Sequence, residues 1–251
     1  MAEADNEYEL FVDGGDGGRG RDRGRIKRVN ALFTSASDFM EEYNRENKES
    51  DVIKIVLPAS VVSLDGFQFE GSMHLENVDL GKTCVTKLGG SVFRGCTSLQ
   101  TFASPEGLIE IHDFAFNDCG SLRTVIFPDS LKKIGSNAFS ECDDMKEVNL
   151  RDTGVTEIGQ SVFARCSSLA TVIFPDSLEY VGKNAFYMCN VLKEVNLRGT
   201  CVTEIGRAVF AGNHGLEAVA VVIGPGVGLC VGNLRKDGKR PFFEFVCETE
   251  H

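Results

Sequence analysis

Large apolar residues return along this chain every 23 or 24 positions. Leu75, Leu99, Leu122, Leu169, Leu192 and Leu216 mark the period, and Val52 and Met145 hold the same place in two further units. Three residues after each comes a second apolar group: Ile55, Val78, Phe102, Val125, Val148, Val172, Val195 and Val219. Deeper in each unit a phenylalanine recurs at Phe69, Phe93, Phe116, Phe139, Phe163, Phe186 and Phe210. A period of this length predicts a solenoid whose units each form one short strand and one return.

Two kinds of unit alternate. The first reads Leu-x-x-Val-x-Phe-Pro-Asp-Ser-Leu-x-x-Ile-Gly-x-x-Ala-Phe-x-x-Cys, spans 23 residues and starts at Val52, Leu99, Leu122 and Leu169. The second reads Val-Asn-Leu-Arg-x-Thr-x-Val-Thr-Glu-Ile-Gly-x-x-Val-Phe, spans 24 and starts at Leu75, Met145 and Leu192. Leu122, Val125 and Phe127 point to one side of a strand, which must end at Pro128 because proline has no N–H to donate onward. Ile134-Gly135 turns the chain, and Ala138-Phe139 brings an aromatic ring back inside. A single unit cannot enclose these groups; its neighbours supply the other walls. Each buried Leu, Val or Phe contributes roughly 1.5–3 kcal/mol, and this offsets the ordering entropy only when units stack.

The stretches Val-Ile-Phe-Pro-Asp-Ser-Leu-Lys-Lys-Ile-Gly-Ser-Asn-Ala-Phe (125–139) and Val-Ile-Phe-Pro-Asp-Ser-Leu-Glu-Tyr-Val-Gly-Lys-Asn-Ala-Phe (172–186) resemble BspA-type leucine-rich repeats. The resemblance implies a strand-dominated repeat solenoid of the α/β type. The implied array has a parallel sheet on one face and about seven repeats of 23–24 residues plus terminal caps. It also implies a protein-binding role, often at a cell surface, and the asparagine ladder of other leucine-rich classes is missing. Three regions follow: an arm, Gly/Arg linker and capping helix over 1–51; the solenoid over 52–223; and a hairpin cap over 224–251. Tyr8 to Val12 suits an added strand and Gly14 to Gly24 a linker. Asp38-Phe-Met-Glu-Glu-Tyr-Asn-Arg-Glu-Asn suits an amphipathic helix entered through Ser35 or Ser37. Val227–Val231 and Phe242–Val246 read as the closing hairpin.

Composition narrows the function. A formal charge of −11 disfavours nucleic acid and anionic membranes as partners of the body of the protein. No apolar run is long enough for a membrane span, and the acidic start lacks the apolar core of a signal peptide, so the expected location is cytoplasmic, with the cell surface as the alternative. Cys96, Cys119, Cys142, Cys166 and Cys189 each follow the repeating phenylalanine by three residues, which makes them a ladder of small buried groups rather than a metal or disulfide set. His74, His112, His214 and His251 have no activating partner, Gly224-Pro-Gly-Val-Gly228 lacks the lysine of a phosphate loop, and no cofactor, metal or enzyme motif emerges. The Gly/Arg segment 17–28, with Arg19, Arg21, Arg23 and Arg25, reads as a solvated linker, with an RNA contact as the alternative.

The outward side of the strands holds the remaining candidates. Ile126 and Ile173, beside Thr124 and Thr171, place apolar groups where solvent is expected. Lys146, Glu147 and Asn149, repeated as Lys193, Glu194 and Asn196, place polar groups on the rungs between. The expected function is non-catalytic binding of another protein, with the isoleucines as anchors and the polar rungs setting register.

Overall fold

The computed structural model describes residues 8–12, 25–29, 52–57, 59–216, 218–222 and 229–233. The first two segments are antiparallel strands, β1 (Tyr8–Val12) and β2 (Arg25–Val29). Strand β1 also pairs antiparallel with β3 (Val52–Val56), so it lies on the open edge of the first rung. Arg25 thus opens a strand rather than belonging to a linker. Residues 14–24, including Arg19, Arg21 and Arg23, lie outside the described residues, as does the expected helix over 38–47.

From Val52 onward the chain winds in coils with three sides. One side carries the longer strands: β3, β4 (Asn77–Asp79), β6 (Thr101–Ala103), β8 (Thr124–Val125), β10 (Glu147–Asn149), β12 (Thr171–Ile173), β14 (Glu194–Asn196) and β16 (Ala218–Val222). Their inward residues are the periodic ones, and Val78, Phe102, Val125, Val148, Val172 and Val195 are all buried.

A second side carries two-residue strands: β5 (Lys87–Leu88), β7 (Glu110–Ile111), β9 (Lys133–Ile134), β11 (Glu157–Ile158), β13 (Tyr180–Val181) and β15 (Glu204–Ile205). They form one continuous parallel ladder. The isoleucine of the Ile-Gly pair therefore lies in a second sheet, and the glycine follows directly after its strand. Glycine is required after it because coils approach closely there. A Cβ on Gly182 would lie 2.6 Å from the carbonyl carbon of Gly159, and one on Gly135 would lie 2.5 Å from the Asp113 nitrogen.

The third side has no strand or helix among the described residues. It is built from stacked turns held by hydrogen bonds from the N–H groups of Phe69, Phe93, Phe116, Phe139, Phe163 and Phe186 to the following coil, as in Phe93 to the Ala115 carbonyl at 2.8 Å and Phe139 to the Val162 carbonyl at 2.9 Å. Two residues per coil adopt positive φ there, one in the series Phe67, Ser91, Phe114, Asn137, Ser161, Asn184, Ala208 and one in the series Gly71, Gly95, Asp118, Glu141, Arg165, Met188, Gly212.

The core follows the repeat. Phe69, Phe93, Phe116, Phe139, Phe163, Phe186 and Phe210 stack nearly parallel, with neighbouring centroids 5.1 to 5.8 Å apart. Beside this column runs the thiol ladder. Cys96, Cys119, Cys142, Cys166 and Cys189 each donate an S–H to the phenylalanine carbonyl of the preceding coil at 3.1 to 3.3 Å. In the last coil Asn213 takes the cysteine's place and donates Nδ2–H to the Phe186 carbonyl at 2.9 Å. Asparagine thus appears once in a ladder otherwise made of cysteine. Burial raises these thiols: Cys96 and Cys189 are pushed up to about 12, and the three between them lie well above the usual thiol range.

At the far end β17 (Leu229–Asn233) pairs antiparallel with β16. Thus the last rung pairs with the segment that follows Gly224–Gly228, and the expected partner strand at 242–246 lies outside the described residues.

Candidate partner-binding face

The long-strand ladder is not continuous. Strands β3, β4, β6 and β8 are hydrogen-bonded in sequence, as are β10 with β12 and β14 with β16. No backbone hydrogen bond joins β8 to β10 or β12 to β14. At three coils a leucine N–H closes the rung by donating to the next coil, Leu57 to the Asp79 carbonyl at 3.1 Å, Leu80 to Ala103 at 2.9 Å and Leu150 to Ile173 at 2.8 Å, while Ser104 uses its hydroxyl instead, donating Oγ–H to the Ile126 carbonyl at 2.7 Å. The two openings occur where phenylalanine replaces that leucine, at Phe127 and Phe174, each followed by proline. These rings turn edge-on to the phenylalanine column, Phe127 to Phe139 at 5.6 Å and Phe174 to Phe186 at 5.9 Å, with interplanar angles of 88° and 89°. A bulkier inward ring marks both coils where the strands part, whereas proline alone does not, since Leu57 is followed by Pro58 and its rung closes.

The ten expected face residues divide between the two openings. Thr124, Ile126, Lys146, Glu147 and Asn149 line a groove of about 690 Å³ between β8 and β10. Thr171, Ile173, Lys193, Glu194 and Asn196 occupy the equivalent places 47 residues later, around the opening between β12 and β14. Ile126 is 74% exposed, the highest value for a large apolar side chain among the described residues, whereas Ile173 is half-buried. Asn149 and Asn196 have a structural task as well: their Oδ1 atoms accept the backbone N–H of Arg151 at 3.1 Å and of Arg198 at 3.0 Å, which fixes the turn after the strand.

Sequence reasoning missed three charged residues of the first groove: Arg123, Asp129 and Asp152. Arg123 is held by Asp144 with Nε 3.6 Å from Oδ2. The signal for the groove was present as the Phe-Pro pairs at 127–128 and 174–175, each ahead of a charged rung. None of the ion pairs among the described residues engages Lys146, Glu147, Lys193 or Glu194.

The opposite, short-strand side has a shallower groove of about 270 Å³ with Val62, Asp65, Lys87 and His112. Glu110 bridges Lys87 at 3.2 Å and His112 at 3.3 Å, and the Lys87 ammonium, hydrogen-bonded to it, lowers its carboxyl below the usual range. No cluster of His, Cys, Asp and Glu suited to a metal occurs among the described residues.

A coil of parallel strands, a phenylalanine column and a thiol ladder repeated every 23 or 24 residues define a leucine-rich-repeat solenoid. The repeat pattern of the BspA type leucine-rich repeat region matches in six copies over residues 46–153 and 86–217, and the chain belongs to this family. Among solved structures it is similar to a leucine-rich cell surface protein from Faecalibacterium prausnitzii A2-165, with 24% identity and a TM-score of 0.61 over 76% of this chain and 56% of that one. It is also similar to the leucine-rich repeat protein of T. pallidum, with 26% identity and a TM-score of 0.48 over 67% of this chain and 79% of that one. The chain thus spans little more than half the length of the first of these proteins. No functionally curated protein matches it. No described helix is long and apolar enough to cross a membrane.

Proposed function

We propose that this repeat module binds another protein through its long-strand face and carries out no catalysis itself. The observation that supports the reading most is Ile126, an apolar side chain 74% exposed at the mouth of a groove with charged residues on both walls. An apolar anchor ringed by polar groups on a rigid scaffold is the arrangement of an interaction hot spot, and stacked coils lose little freedom on binding. Capture from native lysate with the intact chain and with an Ile126→Glu, Ile173→Glu double variant tests it. A partner retained by the first and lost by the second supports the face; equal recovery by both overturns it.

Display at a cell surface is the second reading, and the F. prausnitzii structure, a cell surface protein of the same fold, favours it over the cytoplasmic one. Surface labelling of intact cells separates the two locations. An RNA contact through the Gly/Arg segment is a weaker third reading: Arg25 lies in β2, and the chain's net charge of −11 opposes polyanions.

A further inference from the structure

The groove between β8 and β10 runs along the strands: one wall is the stretch from Arg123 to Asp129, and the other the stretch from Lys146 to Asp152. Its two ends differ in charge. Where the strands begin, the cations have counter-charges within the chain, since Arg123 Nε lies 3.6 Å from Asp144 Oδ2 and Lys146 is followed directly by Glu147. Where the strands finish, Asp129 and Asp152 stand exposed, one on each wall, and neither enters an ion pair among the described residues. Ile126, 74% exposed, stands between the two ends.

The acidic end continues beyond the groove. Glu106, Asp129, Asp152 and Asp176 hold the same place in four successive coils, each exposed and each in the turn that follows the long strand. Arg151 is the one cation in those turns. A row of carboxylates therefore follows the solenoid axis along one border of the face, and the groove opens onto it next to Ile126.

We propose that the groove takes a segment of another protein that sets one large apolar side chain on Ile126 and places arginine, on one side of that residue only, against Asp129 and Asp152. The proposal rests on the sheet-face reading above and adds the partner's charge and its direction along the groove.

Charge decides the occupant. The row repels an acidic segment or a polyanion, and an uncharged segment would strip water from two carboxylates and return no hydrogen bond. A guanidinium presents five donors in a planar fork, which suits carboxylates coming from two walls; a lysine ammonium is a more strongly hydrated point charge. The balanced end asks for no net charge, so the arginine lies to one side of the anchor and fixes which way the segment runs. Ile126 and Asp129 are three residues apart, at most about 11 Å of backbone, so the anchor and the arginine are near neighbours in the partner's sequence. Apolar contact on Ile126 excludes water beside the carboxylates, which strengthens the charge-assisted hydrogen bonds made there.

The test is selection of phage-displayed random peptides on the full chain, with parallel panning on Ile126→Glu and on an Asp129→Lys, Asp152→Lys double variant. Circular dichroism and a thermal midpoint establish that the variants fold, and Asp129→Asn with Asp152→Asn removes the charge with the least change of shape. The expected clones carry one large apolar residue with arginine on a single side of it, and they are lost on Ile126→Glu. Their synthetic peptides should bind the asparagine variant about tenfold more weakly, lose affinity as salt is raised, and weaken when lysine replaces arginine. Panning on the lysine variant should return clones with aspartate or glutamate where arginine stood. Clones that depend on Ile126 but bind the parent, asparagine and lysine forms alike overturn the arginine inference and leave the sheet face standing. Absence of any Ile126-dependent clone overturns the inference and the face reading together.

Discussion

Single positions in this fold are constrained mostly by what repeats above and below them. Ala208 has φ of 59°, in a series where Asn137 and Asn184 take the same conformation more comfortably. Left-handed backbone costs an ordinary L-residue about 1–2 kcal/mol, and asparagine recovers part of it through its own side chain. Ala208→Asn is therefore expected to stabilise the chain by about 0.5–1 kcal/mol, read as a higher urea midpoint with an unchanged slope. Gly182 is the reverse case, since an added Cβ meets Gly159 backbone at 2.6 Å and no flexible side chain can yield. Gly182→Ala is expected to destabilise by about 1–3 kcal/mol, measured in the same titration. The glycine constraint was partly readable, since glycine follows the apolar residue in Ile134-Gly135 and Val181-Gly182, but its reason, contact between second-side strands, was not.

The thiol ladder gives the element scale its clearest prediction. Cys96 and Cys189 are pushed up to about 12, and the three thiols between them lie well above the usual thiol range, all chiefly because of burial. In the unfolded chain thiols ionise near about pH 8.5. Above that value the unfolded state releases protons that the folded state keeps, so stability falls as pH rises, by about 1.4 kcal/mol per thiol per pH unit. Under reducing conditions the midpoint should drop steeply between pH 8.5 and 10.5, and Cys142→Ala with Cys166→Ala should flatten that slope even though it lowers stability at pH 7. Equal slopes for the parent and the double variant would show that the thiols do not carry the effect. The ladder was legible because its period matches that of Phe116 and Phe139. The second sheet was not, because two residues such as Lys133-Ile134 are too few to show alternation. The parting of the long sheet was also hidden, because it depends on whether Phe127 donates to the coil that follows rather than on the Phe127 coil itself.

At the scale of the whole molecule, stability is a sum over coils and the contacts between them. Removing residues 122–168 joins equivalent points of the repeat and deletes one Phe-Pro coil with its charged successor. The shortened chain is expected to fold with the same far-ultraviolet spectrum, to unfold at a lower temperature, and to lose Ile126-dependent binding; failure to fold would argue against interchangeable coils. The period and stacked core were legible from Leu75 to Leu216 because each coil restates them. The terminal pairings of β1 with β3 and of β16 with β17 were less so, since each occurs once. The parted rungs also bear on how the rod carries load. Tension applied along its axis passes through three bonded sides at most coils, but through two at the joins after Phe127 and Phe174. A pull from both ends would therefore extend the protein first at those joins, opening them on one side like a book against its spine. In single-molecule stretching, early compliant steps should vanish when Phe127→Leu and Phe174→Leu restore the missing rungs.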